Sequence, residues 1–199
     1  MTEQAHHIVS DDSESLILVD RDDNELGTLS KARCHDGDGV LHRAFSLFIF
    51  DTAGRLLLQR RAGDKRLWPG YWSNSCCSHP RAGEAMEEAV HRRLAQELGI
   101  ASELEFVYKF AYQARYGDAG SEHELCWVYA GVTAEPVQAN ETEVAEWRFV
   151  EPDTLAGELA AYPERYTPWF RMEWERLTGE YAGALRRIVA RPGEDAQPT

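Results

Sequence analysis

One segment of helical period, set among runs of strand period, constrains this chain more than any other feature. In Gly83–Gly99 the apolar residues Met86, Val90, Leu94 and Leu98 recur every four positions. That spacing gives a helix with one apolar stripe to bury, and Gly99 supplies the left-handed residue that stops it. Ahead of the helix, Ser15–Asp20 reads as a strand and Arg21–Gly27 as its turn. Val40–Asp51 and Arg55–Arg61 read as a hairpin closed over Thr52–Gly54, and Trp68–Gly70 as a loop. Beyond it, Leu104–Tyr112, Glu122–Thr133 and Ala145–Val150 read as strands. The stretch from Glu151 to about Arg191 reads as helices broken near Pro163 and Pro168. This order predicts a mixed α/β (α+β) architecture, and hairpin spacing disfavours a doubly wound parallel sheet. The expected organisation is a disordered stretch over 1–14, one domain over 15–180, and a helix end with a flexible tail over 181–199.

The 199 residues carry a net charge of −13. Such a surface repels phosphate backbones at long range, so a general nucleic-acid binder is excluded. No run has the length of a membrane span, and the polar start MTEQAHHIVSDDSES lacks the order of a signal peptide. The expectation is a cytoplasmic chain, monomeric or weakly homodimeric, with neither membrane nor nucleic acid as partner. There the four cysteines, Cys34, Cys76, Cys77 and Cys126, read as free thiols.

Several residues have the chemistry of a site. His35 and His42 precede a strong strand, and His79 follows Cys77 in WSNSCCSHP. Glu122 and Glu124 in SEHELCWVY point to one face if that run is a strand. Three imidazoles and two carboxylates suit a borderline divalent ion such as Mn²⁺ or Zn²⁺. Cys77 beside His79 is a candidate nucleophile, redox group or proton donor. Its neighbour Cys76 faces the other way on an extended segment, and Cys34 and Cys126 read as packing residues. Arg93 and Glu97 share a helix face, either as an exposed ion pair or turned toward a charged ligand and its Mg²⁺. Arg60, Arg61, Lys65 and Arg66 are four cations within seven residues of an acidic chain. They form either a solvated loop or an anion site, since guanidinium matches phosphate oxygens in pairs.

These pieces resemble type I isopentenyl-diphosphate isomerases, a family of Nudix-type fold. The likeness covers about 15–178 and rests on AFSLFIF, RRAGDKRLWPGYW, SNSCCSHP, GEAMEEAVHRRLAQELG, KFAYQA, SEHELCWVY and TPWFRMEW. The fold implied is a mixed sheet sandwiched by helices, with a C-terminal helical extension. The Nudix hydrolase signature, aligned on Gly99 and Ile100, places Ser78 where it has glycine, and Arg93 and Gln96 at two of its four acidic positions; Glu84 and Glu97 remain. Half the carboxylate cluster is missing, which speaks against pyrophosphate hydrolysis.

The resemblance implies roles. His35, His42, His79, Glu122 and Glu124 match a metal site for one divalent ion, Mn²⁺, Zn²⁺ or Mg²⁺. Cys77 and Glu124 match two proton-transfer groups, Tyr112 an assisting phenol and Trp169 an aromatic wall. Arg61, Lys65, Arg93 and Lys31 match diphosphate contacts, and Glu97 matches the ligand of a Mg²⁺ that arrives with the diphosphate. The implied reaction converts isopentenyl diphosphate to dimethylallyl diphosphate through a tertiary carbocation. Two other readings stand beside it: a Nudix hydrolase of a nucleoside diphosphate derivative, and a non-catalytic binding module.

Overall fold

The strand His42–Asp51, β3, organises the sheet. The computed structural model describes residues 8–190, so the expectations for 1–7 and 191–199 lie outside it. Before β3 come β1 (Ser15–Val19), β2 (Glu25–Ser30) and the single turn of α1 (Lys31–Cys34). After it come β4 (Leu56–Arg61), β5 (Trp72–Ser73), β6 (Cys76–Ser78) and the long helix α2 (Met86–Leu98). The chain continues through β7 (Glu103–Tyr116), β8 (Gly120–Thr133) and β9 (Val144–Val150). It finishes with α3 (Pro152–Ala161), α4 (Pro168–Thr178) and α5 (Ala182–Val189). The proline breaks fall where expected. The run read as a turn, Arg21–Gly27, contains the start of β2, and the stretch after Trp68 contains β5 and β6. Strands β5 and β6 are too short to show a period-two pattern, and β2, six residues with none buried, has no apolar alternation to show.

On one side β3 runs parallel to β8 along its whole length, and β8 pairs antiparallel with β7. On its other side three strands take turns: β1 at His42, β6 at Phe45–Leu47 and β4 at Phe50. Strand β4 then carries β9 and β5. The sheet is mixed, as expected, with one long parallel pair.

Alternation along β3 sorts its side chains to two faces. Phe45, Leu47 and Ile49 pack on Ala89, Val90, Leu94 and Leu98 of α2, so the four-residue stripe buries as its period requires. Gly99 ends that helix at φ +64. On the opposite face, Phe48 and Phe50 join Phe170, Trp174 and Leu177 of α4 and Leu185 and Ile188 of α5. Helices therefore cover both faces, and His42 and Ser46 fall on the α4 side by the same alternation.

One acid lies inside that second layer. Glu173 of α4 is fully buried and accepts a hydrogen bond from the Cys126 thiol at 3.4 Å. Cys126, read as a packing residue, thus has polar company. Burial pushes the Glu173 carboxyl up to about 8, with hydrogen bonds from Ser46 and Cys126 opposing. Unfolded, it would ionise near 4.5; folded, it holds its proton to higher pH. Stability from this group is therefore full below about 4.5 and is lost as pH rises through about 8. Glu173→Gln removes that dependence. Its melting temperature should gain several degrees on the native chain between pH 4.5 and 8; an equal difference at both ends would contradict the assignment.

Candidate active site

Strand register brings the site together. His42 of β3 lies beside Glu124 of β8, and Tyr112 of β7 lies opposite the same glutamate. One row across three strands thus holds an imidazole, a carboxylate and a phenol. Glu122 is two residues earlier on β8 and shares its face. His35 follows α1 directly and is seated by a close approach: its carbonyl accepts from Ser121 N at 3.0 Å. Gly120, at φ +140, makes room, since a Cβ there would lie 2.2 Å from the His35 oxygen. His79 follows β6.

The ligand atoms of His35, His42, His79, Glu122 and Glu124 lie within 4.8 Å of one another. His35 Nδ1 donates to the Lys31 carbonyl and His42 Nδ1 to the Val40 carbonyl, each at 2.7 Å. A carbonyl only accepts, so Nδ1 carries a proton in both rings and both Nε2 atoms face the cluster. His42 Nε2 is buried without a hydrogen-bond partner, 3.8 Å from Glu124 Oε1. A buried lone pair aimed at four other donors fits a metal ligand, and the donor set suits a divalent ion.

Charge in the bare cluster is unevenly shared. Burial, followed by the neighbouring imidazoles, pulls His42 down to about 3. Burial likewise holds His79 well below its usual range, aided by His35. Burial also works against charge on His35, but Glu122, 2.8 Å away, overrides it and pushes the ring up to about 9. The same ion pair holds Glu122 below the carboxylate range despite its burial. Glu124 goes the other way: burial and the Glu122 charge push it up to about 7. It accepts from Tyr112 Oη at 2.6 Å and is 2.9 Å from His79 Nε2.

A cavity of about 540 Å³ opens onto this cluster and onto Cys77. Cys77 is half-buried on β6, opposite Ser46 of β3. Burial pushes its thiol up to about 12, with the Arg61 guanidinium opposing; an Arg61 nitrogen is 3.9 Å from the sulfur. Cys76 does face the other way, into the α2 layer, where its thiol bonds Glu97. Trp169 forms a further wall, with Arg61 over its ring at 5.3 Å.

The cations divide. Lys31, Arg61, Lys65, Arg66 and Arg93 line the cavity, but Arg60 does not, being paired with Glu146 at 2.9 Å on the surface. Arg66 is tied to Asp36 and to the Ala119 and Ala32 carbonyls. The bland alternative for Arg93 and Glu97 fails: the pair is buried rather than exposed, and both residues line the cavity. Two acids not singled out from the sequence sit close by. Glu173 carried a signal, an acid in the apolar stripe Trp169, Phe170, Trp174 and Leu177. Glu143 carried none, lying in a polar stretch with Glu141 just before β9.

The chain is similar to known proteins over most of its length. The family model described as NUDIX domain matches residues 40–170. An isopentenyl-diphosphate Delta-isomerase of Burkholderia multivorans is 47% identical over 163 residues, covering 82% of this chain and 92% of its own. One from Photorhabdus laumondii is 44% identical, covering 81% and 93%. Among solved structures, a Deinococcus radiodurans protein superposes with a TM-score of 0.64 at 21% identity, covering 89% of this chain and all (100%) of its own. That likeness speaks for the fold alone. The chain belongs to the isopentenyl-diphosphate Delta-isomerase family, built on a NUDIX domain.

Proposed function

We propose that Cys77 and Glu124 are the two proton-transfer groups with which this isomerase interconverts isopentenyl diphosphate and dimethylallyl diphosphate. The reaction adds a proton at C4 and removes one from C2, through a tertiary carbocation. An alkene is a poor base, so the donor must be close, oriented and shielded from water. One group supplies the first proton and the other takes the second. The observation that supports the assignment is that Cys77, Glu124, Tyr112 and Trp169 line one cavity with Lys31, Arg61, Lys65 and Arg93.

Burial keeps the thiol protonated at neutral pH. Tyr112 orients Glu124 through its hydrogen bond. The Trp169 π face stabilises positive charge, by about 2 kcal/mol when desolvated. The cations hold the diphosphate, so the five-carbon unit lies toward the thiol and the carboxylate.

His35, His42, His79, Glu122 and Glu124 would hold one divalent ion, Mn²⁺, Zn²⁺ or Mg²⁺, and Glu97 the Mg²⁺ that arrives with the diphosphate. When bound, such ions supply positive charge that lowers carboxylate basicity and neutralises phosphate oxygens. Chelation is expected to abolish turnover and to lower the melting temperature by about 5–10 °C, as loss of a tightly bound ligand does. An unchanged melting temperature would speak against the five-residue ion site.

The reading extends to a cytoplasmic chain with the isomerase domain over 15–180, acting as a monomer or weak homodimer on a small molecule. The charge of −13 supports the exclusion of nucleic acid. No helix among the described residues is long and apolar enough to cross a membrane. Incubation with isopentenyl diphosphate and Mg²⁺ tests the function: dimethylallyl diphosphate is the expected product, and phosphate release without it would overturn the reading.

A further inference from the structure

Three cations brought to one cavity wall repel each other. Lys31 begins α1, Lys65 follows β4 and Arg93 is on α2. Burial, then the charges of Lys65 and Arg93, lowers the Lys31 ammonium, while Glu14 and Glu143 counter them. The three lie within electrostatic reach of one another. Glu143 is the acid that joins two of them. Its Oε2 accepts from Lys65 Nζ at 2.5 Å and from Arg93 Nη2 at 3.3 Å. One buried oxygen thus bridges a loop and a helix that are far apart in sequence.

Glu143 is itself fixed by its backbone. Its carbonyl accepts from Ala62 N at 3.0 Å, which ties it to the end of β4. The loop before it is clamped to the end of α2: Gln138 N donates to Leu98 O, and Asn140 N to Glu97 O, each at 2.8 Å. Gly99 permits this approach, since a Cβ there would come within 2.8 Å of the Gln138 Cβ. The loop closes with Glu143 N and Val144 N on the Asn140 carbonyl, both at 2.9 Å. The carboxylate is therefore held in place before any ligand arrives.

We propose that Glu143 is a positioning residue for the diphosphate: it holds Lys65 and Arg93 aimed into the cavity and offsets their repulsion. This rests on reading the cavity as a diphosphate site. Without the carboxylate Lys65 loses its anchor and its repulsion with Arg93 is no longer offset, so the ordering must be supplied at binding, while Arg93 keeps its bonds to Glu97 and the Val9 carbonyl. The loss falls on ground-state affinity, because Glu143 acts through groups that grip the unreacting end of the substrate. Glu97 has a different part, since it pairs with Arg93 alone and faces the thiol of Cys76.

The test compares the native chain with Glu143→Gln and Glu143→Asp over a range of Mg²⁺ concentrations up to saturation. Initial rates are measured against isopentenyl diphosphate, and affinity for inorganic pyrophosphate is measured by calorimetry. Glu143→Gln is expected to raise KM about tenfold and weaken pyrophosphate by a similar factor, with kcat within about twofold. Glu143→Asp keeps the charge one methylene short; it is expected to raise KM about threefold, between native and the Gln variant, and that intermediate rise is the reading if the Gln variant does not fold. Unchanged KM and pyrophosphate affinity would overturn the inference. So would a kcat that falls as far as KM rises, or a KM restored by raising Mg²⁺, which would make Glu143 a metal ligand. Failure of the native chain to isomerise would count against the function; pyrophosphate affinity in the variants decides on Glu143 independently.

Discussion

Cys77→Ala is expected to lower the isomerisation rate by about 10³-fold or more while the melting temperature stays within a few degrees of native. The size follows from the loss of one of two proton-transfer groups, since a single positioned acid or base is worth about 10²–10⁴-fold. The fold survives because Cys77 lies at the cavity surface, packed only partly against the core. Cys76 provides the internal control. It is fully buried in the α2 layer, turned away from the cavity by strand alternation, and Cys76→Ala should keep the rate within about threefold of native. Steady-state rates with isopentenyl diphosphate check both. Near-native turnover in Cys77→Ala, or an equal loss in Cys76→Ala, would mean that the wrong thiol has been assigned.

Glu124→Gln is expected to be at least as damaging, about 10³–10⁴-fold in rate. The substitution keeps the volume of the side chain and one oxygen to accept from Tyr112, so the row His42–Glu124–Tyr112 stays packed. It removes a proton carrier and one anionic donor from the five-residue cluster. Metal content after dialysis should fall along with the rate. A rate within tenfold of native would remove Glu124 from the proton chemistry, and full metal retention would remove it from the ion site.

Much of the site was legible because it lies on regular structure or on distinctive local sequence. Glu122 and Glu124 share a face through strand period alone, and Met86, Val90, Leu94 and Leu98 show the α2 stripe by helical period. His35, His42 and His79 were readable as donors, but only the fold brings them together. The parallel pairing of β3 with β8 sets His42 beside Glu124, and no local pattern encodes a pairing across some eighty residues. The cation cluster shows the limit from the other side. Arg60 and Arg61 are adjacent, yet strand alternation sends one to the surface pair with Glu146 and the other to the cavity. Strands β5 and β6 span only two and three residues, too few for periodicity to register. Glu143 is set by loop contacts to α2 and β4 alone.

The reaction run in D₂O tests the central claim most directly. If a thiol and a carboxylate exchange protons with solvent and with substrate, native enzyme will place solvent deuterium in the new methyl group of dimethylallyl diphosphate, and Cys77→Ala will form that labelled product at least 10³-fold more slowly. Product whose new methyl carries no solvent deuterium would mean that hydrogen passes directly from C2 to C4, and would contradict the account.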